Sequence, residues 1–250
     1  MNSSNAFRVI VVTFAFCVLA LLVLLSERKV SASPPAESSV TGVVKLDGAA
    51  PHQRPINMSK EPYCDNLHKA SPVSTETVVA GPDGGLRNVV VYISQGWSGP
   101  DQPESDVQNW DQKGCQYIPH VMALDVNQHF RVVNSDPTSH NIHPMPQPGT
   151  ANHEWNKSQP PGAPPIDTSW AAEEVAIHVK CNIHPWMSGY MVVVKGPYGV
   201  SDDKGEFKIA GVPPGNYTLT AWQETYGTQT QKITVAAGKP TTANFTFKAK

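Results

Sequence analysis

Two mostly apolar runs, Val175 to Val179 and Tyr190 to Val194, flank the segment Lys180-Cys181-Asn182-Ile183-His184-Pro185-Trp186-Met187. Both runs have strand length and β-branched content, so the segment between them reads as a loop joining two strands. That loop carries a thiol, an imidazole and a thioether at the spacing C-x-x-H-x-x-M. Thiolate, imidazole and thioether together select copper over hard cations, and a second imidazole would complete the set. The candidate segment for it lies about forty residues upstream, Asn134-Ser135-Asp136-Pro137-Thr138-Ser139-His140-Asn141-Ile142-His143. His140 and His143 are three apart, so on an extended strand they face opposite sides and only one easily faces the metal.

The two segments resemble the ligand segments of the cupredoxins, the small blue copper proteins. CNIHPWM followed by SGYMVVV is similar to the short ligand loop of the amicyanin-type members, and NSD before HNIH is similar to the family's first ligand segment. The resemblance implies a Greek-key cupredoxin β-sandwich from about Leu86 to Lys195. It implies one Cu(I)/Cu(II) ion held by His140, Cys181, His184 and Met187, and so chooses His140 over His143. It also implies that the side chain of Asn141 ties the two ligand loops together. Single-electron transfer is the function it implies, with a redox protein partner docking near His184 and Trp186. Packing of Trp186 into the core is an equally good reading of that residue. An oxidase is not expected. The flanks of Cys181 are Lys180 and Asn182, not the histidines that wire a multicopper oxidase, and one cysteine in the loop cannot build a thiolate-bridged pair of coppers.

Export follows from the N-terminus. Arg8 precedes an apolar run, Val9 to Leu25, and Val30 and Ala32 fit a signal-peptidase site. Residues 1–33 are therefore a cleaved signal or a membrane anchor through residues 9–25, and the rest is expected in the periplasm or outside the cell. Removing Arg8, Arg28, Lys29 and Glu27 turns 19 basic and 21 acidic residues into 16 and 20. No basic field exists to hold nucleic acid. Beyond Cys17, the chain has Cys64, Cys115 and Cys181. An odd cysteine in an oxidising compartment is reactive or metal-bound. With Cys181 given to copper, Cys64 and Cys115 are left to form a disulfide, or to stay as two buried thiols.

The remainder reads as all-β. Short strands separated by turn clusters argue for β-sandwiches, and no stretch has an extended helical period. Strands are expected at Val40–Asp47, Leu86–Ser94, His120–Leu124 and His129–Asn134. Residues 52–85 look irregular, Gln95–Asp111 reads as loop with Trp97 and Trp110, and His120 and His153 read as surface histidines. After Lys195, the stretch GEFKIAGVPPGNYTLTAW resembles the prealbumin-like β-sandwich modules of the carboxypeptidase regulatory and rhamnogalacturonan lyase type. The opening GVVKLDGAAP resembles the first strand of such a module. The expected division is 1–33, a linker and N-terminal β segment at 34–85, a copper domain at 86–195 and the small module at 196–250. Residues 34–85 are free to join that module, with the copper domain inserted between. Tyr217 and Trp222 could stack on a polysaccharide, though burial in the sandwich is the commoner fate of such residues. The other functions compatible with these motifs are copper delivery without a redox role, and a carbohydrate-binding or adhesion β-protein.

Overall fold

The computed structural model describes residues 38–99 and 106–250. The signal or anchor read at 1–33 lies outside them. Among the described residues no helix is long and apolar enough to cross a membrane.

The described residues are nearly all-β, arranged as four sheets. Two of them enclose one core. In one, β1 (Ser38–Asp47) lies against β13 (Glu206–Val212), β16 (Thr241–Thr242) and β17 (Phe245–Lys248). In the other, β2 (Val90–Gln95) lies between β12 (Tyr198–Val200) and β14 (Gly215–Gln223), with β15 (Gly227–Val235) at the edge. Val40, Val44, Leu86, Val91, Ile209, Leu219, Phe245 and Phe247 fill the space between. So the N-terminal strand pairs with the tail: Val43 lies opposite Glu206, and Val44 to Asp47 run parallel to Phe245 to Lys248. β2 belongs there too, with Val90 opposite Trp222 and Val200. This moves Val90–Gln95 out of the segment assigned to the copper domain from sequence. An apolar run marks a strand but carries no label for its sheet.

The second pair of sheets encloses the core that holds the ligand loop. One sheet runs β5 (Val121–Asp125), β11 (Ser188–Val194), β10 (Glu174–Lys180), β7 (His140–Met145) and β8 (Lys157–Gln159). The other runs β4 (Gln116–Ile118), β3 (Gln108–Lys113), β6 (Phe130–Asn134) and β9 (Ile166–Thr168). Trp110, Tyr117, Phe130, Ile142, Ile177, Val179 and Met191 pack between them, together with Cys181 and Met187. Trp110 is thus strand core, not loop. The run Gln108–Lys113 is too polar to read as a strand, but Trp110 and Gln112 alternate inward on it.

β5 and β11 are buried on both faces, which is why VMAL and YMVVV carry no polar alternation. Met122, Leu124, Met191 and Val193 face the ligand-loop core. Val121, Ala123, Val192 and Val194 face the other way, onto Val90 and Trp222 of the first sandwich. His120 lies in this seam. It is buried, and its Nε2 is 2.5 Å from Oε1 of Glu224, whose side chain is 6% exposed. The surface reading of His120 is corrected by a partner 104 residues away. His153 is exposed.

Gly42 is where β1 depends on a missing side chain. A Cβ there would sit 1.7 Å from the carbonyl oxygen of Ala243 and 2.9 Å from Cε1 of Phe207. Overpacking of a tight site costs about 1–3 kcal/mol and more where backbone is struck. Gly42→Ala should therefore lower the urea midpoint by at least the equivalent of about 2 kcal/mol. An unchanged midpoint would show that β1 can shift off β16 at no cost.

Candidate metal centre

The β10–β11 loop folds on itself. Cys181 N–H donates to the Met187 carbonyl at 3.1 Å, and Met187 N–H donates to the His184 carbonyl at 2.9 Å. These bonds turn a six-residue separation into one cluster at the end of the hairpin. β7 lies antiparallel beside β10, with His143 opposite Lys180, so His140 at the start of β7 arrives beside Cys181. The side chains of His140, Cys181, His184 and Met187 are all at most 2% exposed.

Nδ1 of His140 is 2.9 Å from Nδ1 of His184, and Sγ of Cys181 is 3.9 Å from His184 Nδ1. One donor atom from each of the three residues lies within 4.8 Å of the others. A first-row ion such as zinc bonds nitrogen at about 2.0 Å and sulfur at about 2.3 Å. Atoms this close can therefore share one ion. Met187 is buried in the same core as Cys181. Cys115, Asp136 and His140 also converge, but Cys115 is bonded to Cys64 in a disulfide and has no thiolate to offer.

The surroundings favour the charged thiolate. Burial pushes the Cys181 thiol up, but a hydrogen bond with His140 and the N–H groups of Asn141, His184 and Ile183 outweigh it and hold the pKa below the ordinary value. Two of those donors lie at 3.4 and 3.3 Å from Sγ. Burial likewise pushes His140 down, but the Asp136 hydrogen bond and the thiol leave it raised. Burial and the neighbouring His140 hold His184 low. His140 presents Nε2 to Oδ2 of Asp136 at 2.8 Å, which turns Nδ1 inward. Asn141 accepts the N–H of Asn182 on its side-chain oxygen and donates to Asn156, so its side chain bridges β7 to the β10–β11 loop. His143 points elsewhere, 3.2 Å from Asn182 Oδ1 and 2.5 Å from Glu154 Oε1.

Two carboxylates at this site escape sequence reasoning. Asp136 stands four residues before His140 inside a segment that is otherwise turn-like. Glu61 is 123 residues from His184 and has no sequence signal. It precedes a short helix, α1 (Pro62–His68), that was expected to be irregular chain. Cys64 of α1 is bonded to Cys115, Tyr63 reaches Asp136 at 3.3 Å and His68 Nε2 lies 2.8 Å from the Gly114 carbonyl. Trp186 is half-buried; it donates from Nε1 to the Cys115 carbonyl at 3.1 Å, with its ring 5.1 Å from that of His184.

A family model described as a carboxypeptidase regulatory-like domain matches residues 187–248. Its span begins at Met187 and so includes β11, which lies in the sheet of the ligand loop. No curated protein matches the chain by sequence. Among solved structures, the chain is similar to a copper-containing nitrite reductase from Thermus scotoductus SA-01, at 14% identity and a TM-score of 0.32 over 42% of this chain and 25% of the reductase. It is similar to the oxidised P96G mutant of amicyanin, at 14% identity and a TM-score of 0.32 over 42% of this chain and 98% of that one. It is also similar to a purple cupredoxin from Nitrosopumilus maritimus, at 20% identity and a TM-score of 0.29 over 35% of this chain and 99% of that one. The chain spans a quarter of the reductase's length.

Proposed function

We propose that this is an exported copper protein that carries single electrons between redox partners. One ion would be held by His140, Cys181 and His184, with Met187 as a weak axial donor. The observation that carries this reading is the buried convergence of two imidazole Nδ1 atoms and one thiolate sulfur beside a buried methionine. A thioether in the set favours copper over zinc, and two histidines, one cysteine and a methionine are the donors of an electron-transfer copper site. Copper bound there would supply a one-electron couple.

The chain's own residues hold the donors still. Asp136 orients His140, Asn141 fastens the two ligand segments, and the N–H groups of Asn141 and His184 stabilise the thiolate. Burial keeps bulk water from the donors. It also favours a retained cofactor over copper delivery, since no ligand is open to an acceptor protein. A redox partner would dock on the ligand loop beside His184 and Trp186, where Ile183 is 48% exposed and Pro185 is exposed. We read the chain as a carrier and not an enzyme, from the flanks of Cys181. The tail offers a polysaccharide neither Tyr217 nor Trp222, because both are buried. Export and any tether at residues 9–25 rest on the N-terminal sequence.

The test is a visible spectrum after adding Cu(II) to the protein and to Cys181→Ser. An intense thiolate-to-copper band in the first and none in the second is expected. A pale complex that the substitution leaves unchanged would overturn the reading.

A further inference from the structure

His184 has an unusual outer edge. Its Nε2 is buried and has no hydrogen-bond partner among the described residues, although the ring is only 2% exposed. A buried unpartnered ring nitrogen is costly. The charged group against it is Glu61, whose Oε2 lies 3.6 Å away. Glu61 is held from both sides: its N–H donates to the Met58 carbonyl at 2.8 Å and its own carbonyl accepts Asp65 N–H at 2.9 Å. Its side chain is 29% exposed. Closing the gap to about 2.9 Å makes a hydrogen bond.

We infer that Glu61 is a positioning residue for His184. Its carboxylate accepts the Nε2–H, which leaves the Nδ1 lone pair facing Cys181 and His140. The result is a matched pair: Asp136 does this for His140, and Glu61 for His184. A ligating histidine whose other nitrogen meets a carboxylate has its tautomer and ring orientation fixed and its basicity raised. The edge of His184 is then closed by the segment carrying α1, which is bonded through Cys64 to Cys115. Only the copper arm of the test below rests on the proposed function.

The first measurement is nitrogen-15 NMR of the histidine rings in the metal-free protein, for wild type, Glu61→Met and Glu61→Gln. Met keeps the chain length without an acceptor; Gln keeps an acceptor. Wild type and Glu61→Gln should hold His184 as the Nε2–H form, and Glu61→Met should shift at least half of it to Nδ1–H. The second is Cu(II) titration with chelator competition. Glu61→Met should bind about 10- to 100-fold more weakly, with Glu61→Gln restoring most of the loss. A Glu61→Met protein with the wild-type tautomer and affinity overturns the inference. Wild type that fails to bind copper overturns the proposed function instead, and the tautomer measurement still decides the role of Glu61.

Discussion

Asp136→Ala should destabilise the protein by about 3–5 kcal/mol at neutral pH, the cost of removing a buried carboxylate from the donors that surround it. The carboxylate side chain is 3% exposed and receives four donors. Gly114 and Cys115 give it backbone N–H groups, each at 2.8 Å, from the turn between β3 and β4. Tyr63 gives it a hydroxyl at 3.3 Å and His140 an Nε2–H at 2.8 Å. Alanine leaves all four without that acceptor. Asp136→Asn should cost less, because its amide oxygen keeps part of the set. The pH dependence has a definite sign. Burial pushes the Asp136 carboxyl up, but the His140 hydrogen bond and the two backbone donors hold it below its ordinary value. Its contribution is therefore complete above the unfolded carboxyl value of about 3.9 and is lost as pH falls through the lower folded value. Urea unfolding at pH 7 and again well below pH 3 measures this. The gap between wild type and Asp136→Ala should be widest at pH 7 and shrink in acid. A gap below about 1 kcal/mol at pH 7 would show that the turn and α1 hold themselves without the carboxylate.

The convergence of the loop's candidate ligands was legible because its information is local. Cys181, His184 and Met187 fall within seven residues, and two backbone bonds across that loop suffice to gather them. His140 needed only a neighbouring strand, and β7 beside β10 supplies it. The tail's strands were visible for the same reason, since each alternates or ends in a Pro/Gly turn. What stayed hidden depends on distant partners. Val90–Gln95 reads as a strand from its own residues, but its place between β12 and β14 is fixed by residues more than a hundred positions on. His120 looks like any exposed histidine until Glu224 arrives from the end of β14. α1 spans seven residues, too short for a helical period to show. Its position depends on a covalent bond to Cys115, and Glu61 reaches His184 only because that bond and its neighbours place α1 there.

Removing that bond should produce the second large loss. In Cys64→Ala/Cys115→Ala, the closed loop with a sequence separation of 51 opens, and loop-closure entropy for that length is worth roughly 4 kcal/mol of stability. Both sulfurs are fully buried, against Met58 and beside Trp186, so alanine also leaves a small void. Guanidinium unfolding of wild type treated with a dithiol should show the loss of the cross-link alone, and the variant a somewhat larger loss because it also lacks the sulfurs; a loss under about 1 kcal/mol would mean that the unfolded chain is already compact around this pair. The loss should also be coupled to that of Asp136. The carboxylate accepts the N–H of Cys115 and the hydroxyl of Tyr63, the residue next to Cys64, so the disulfide holds two of its four donors in place. Residues that share a network this way fail to add, by about 0.5–3 kcal/mol. Combining Asp136→Ala with the cysteine pair should therefore cost less than the two losses taken separately. Full additivity would mean that the turn keeps its shape without the bond, and that the disulfide acts only by restricting the unfolded chain.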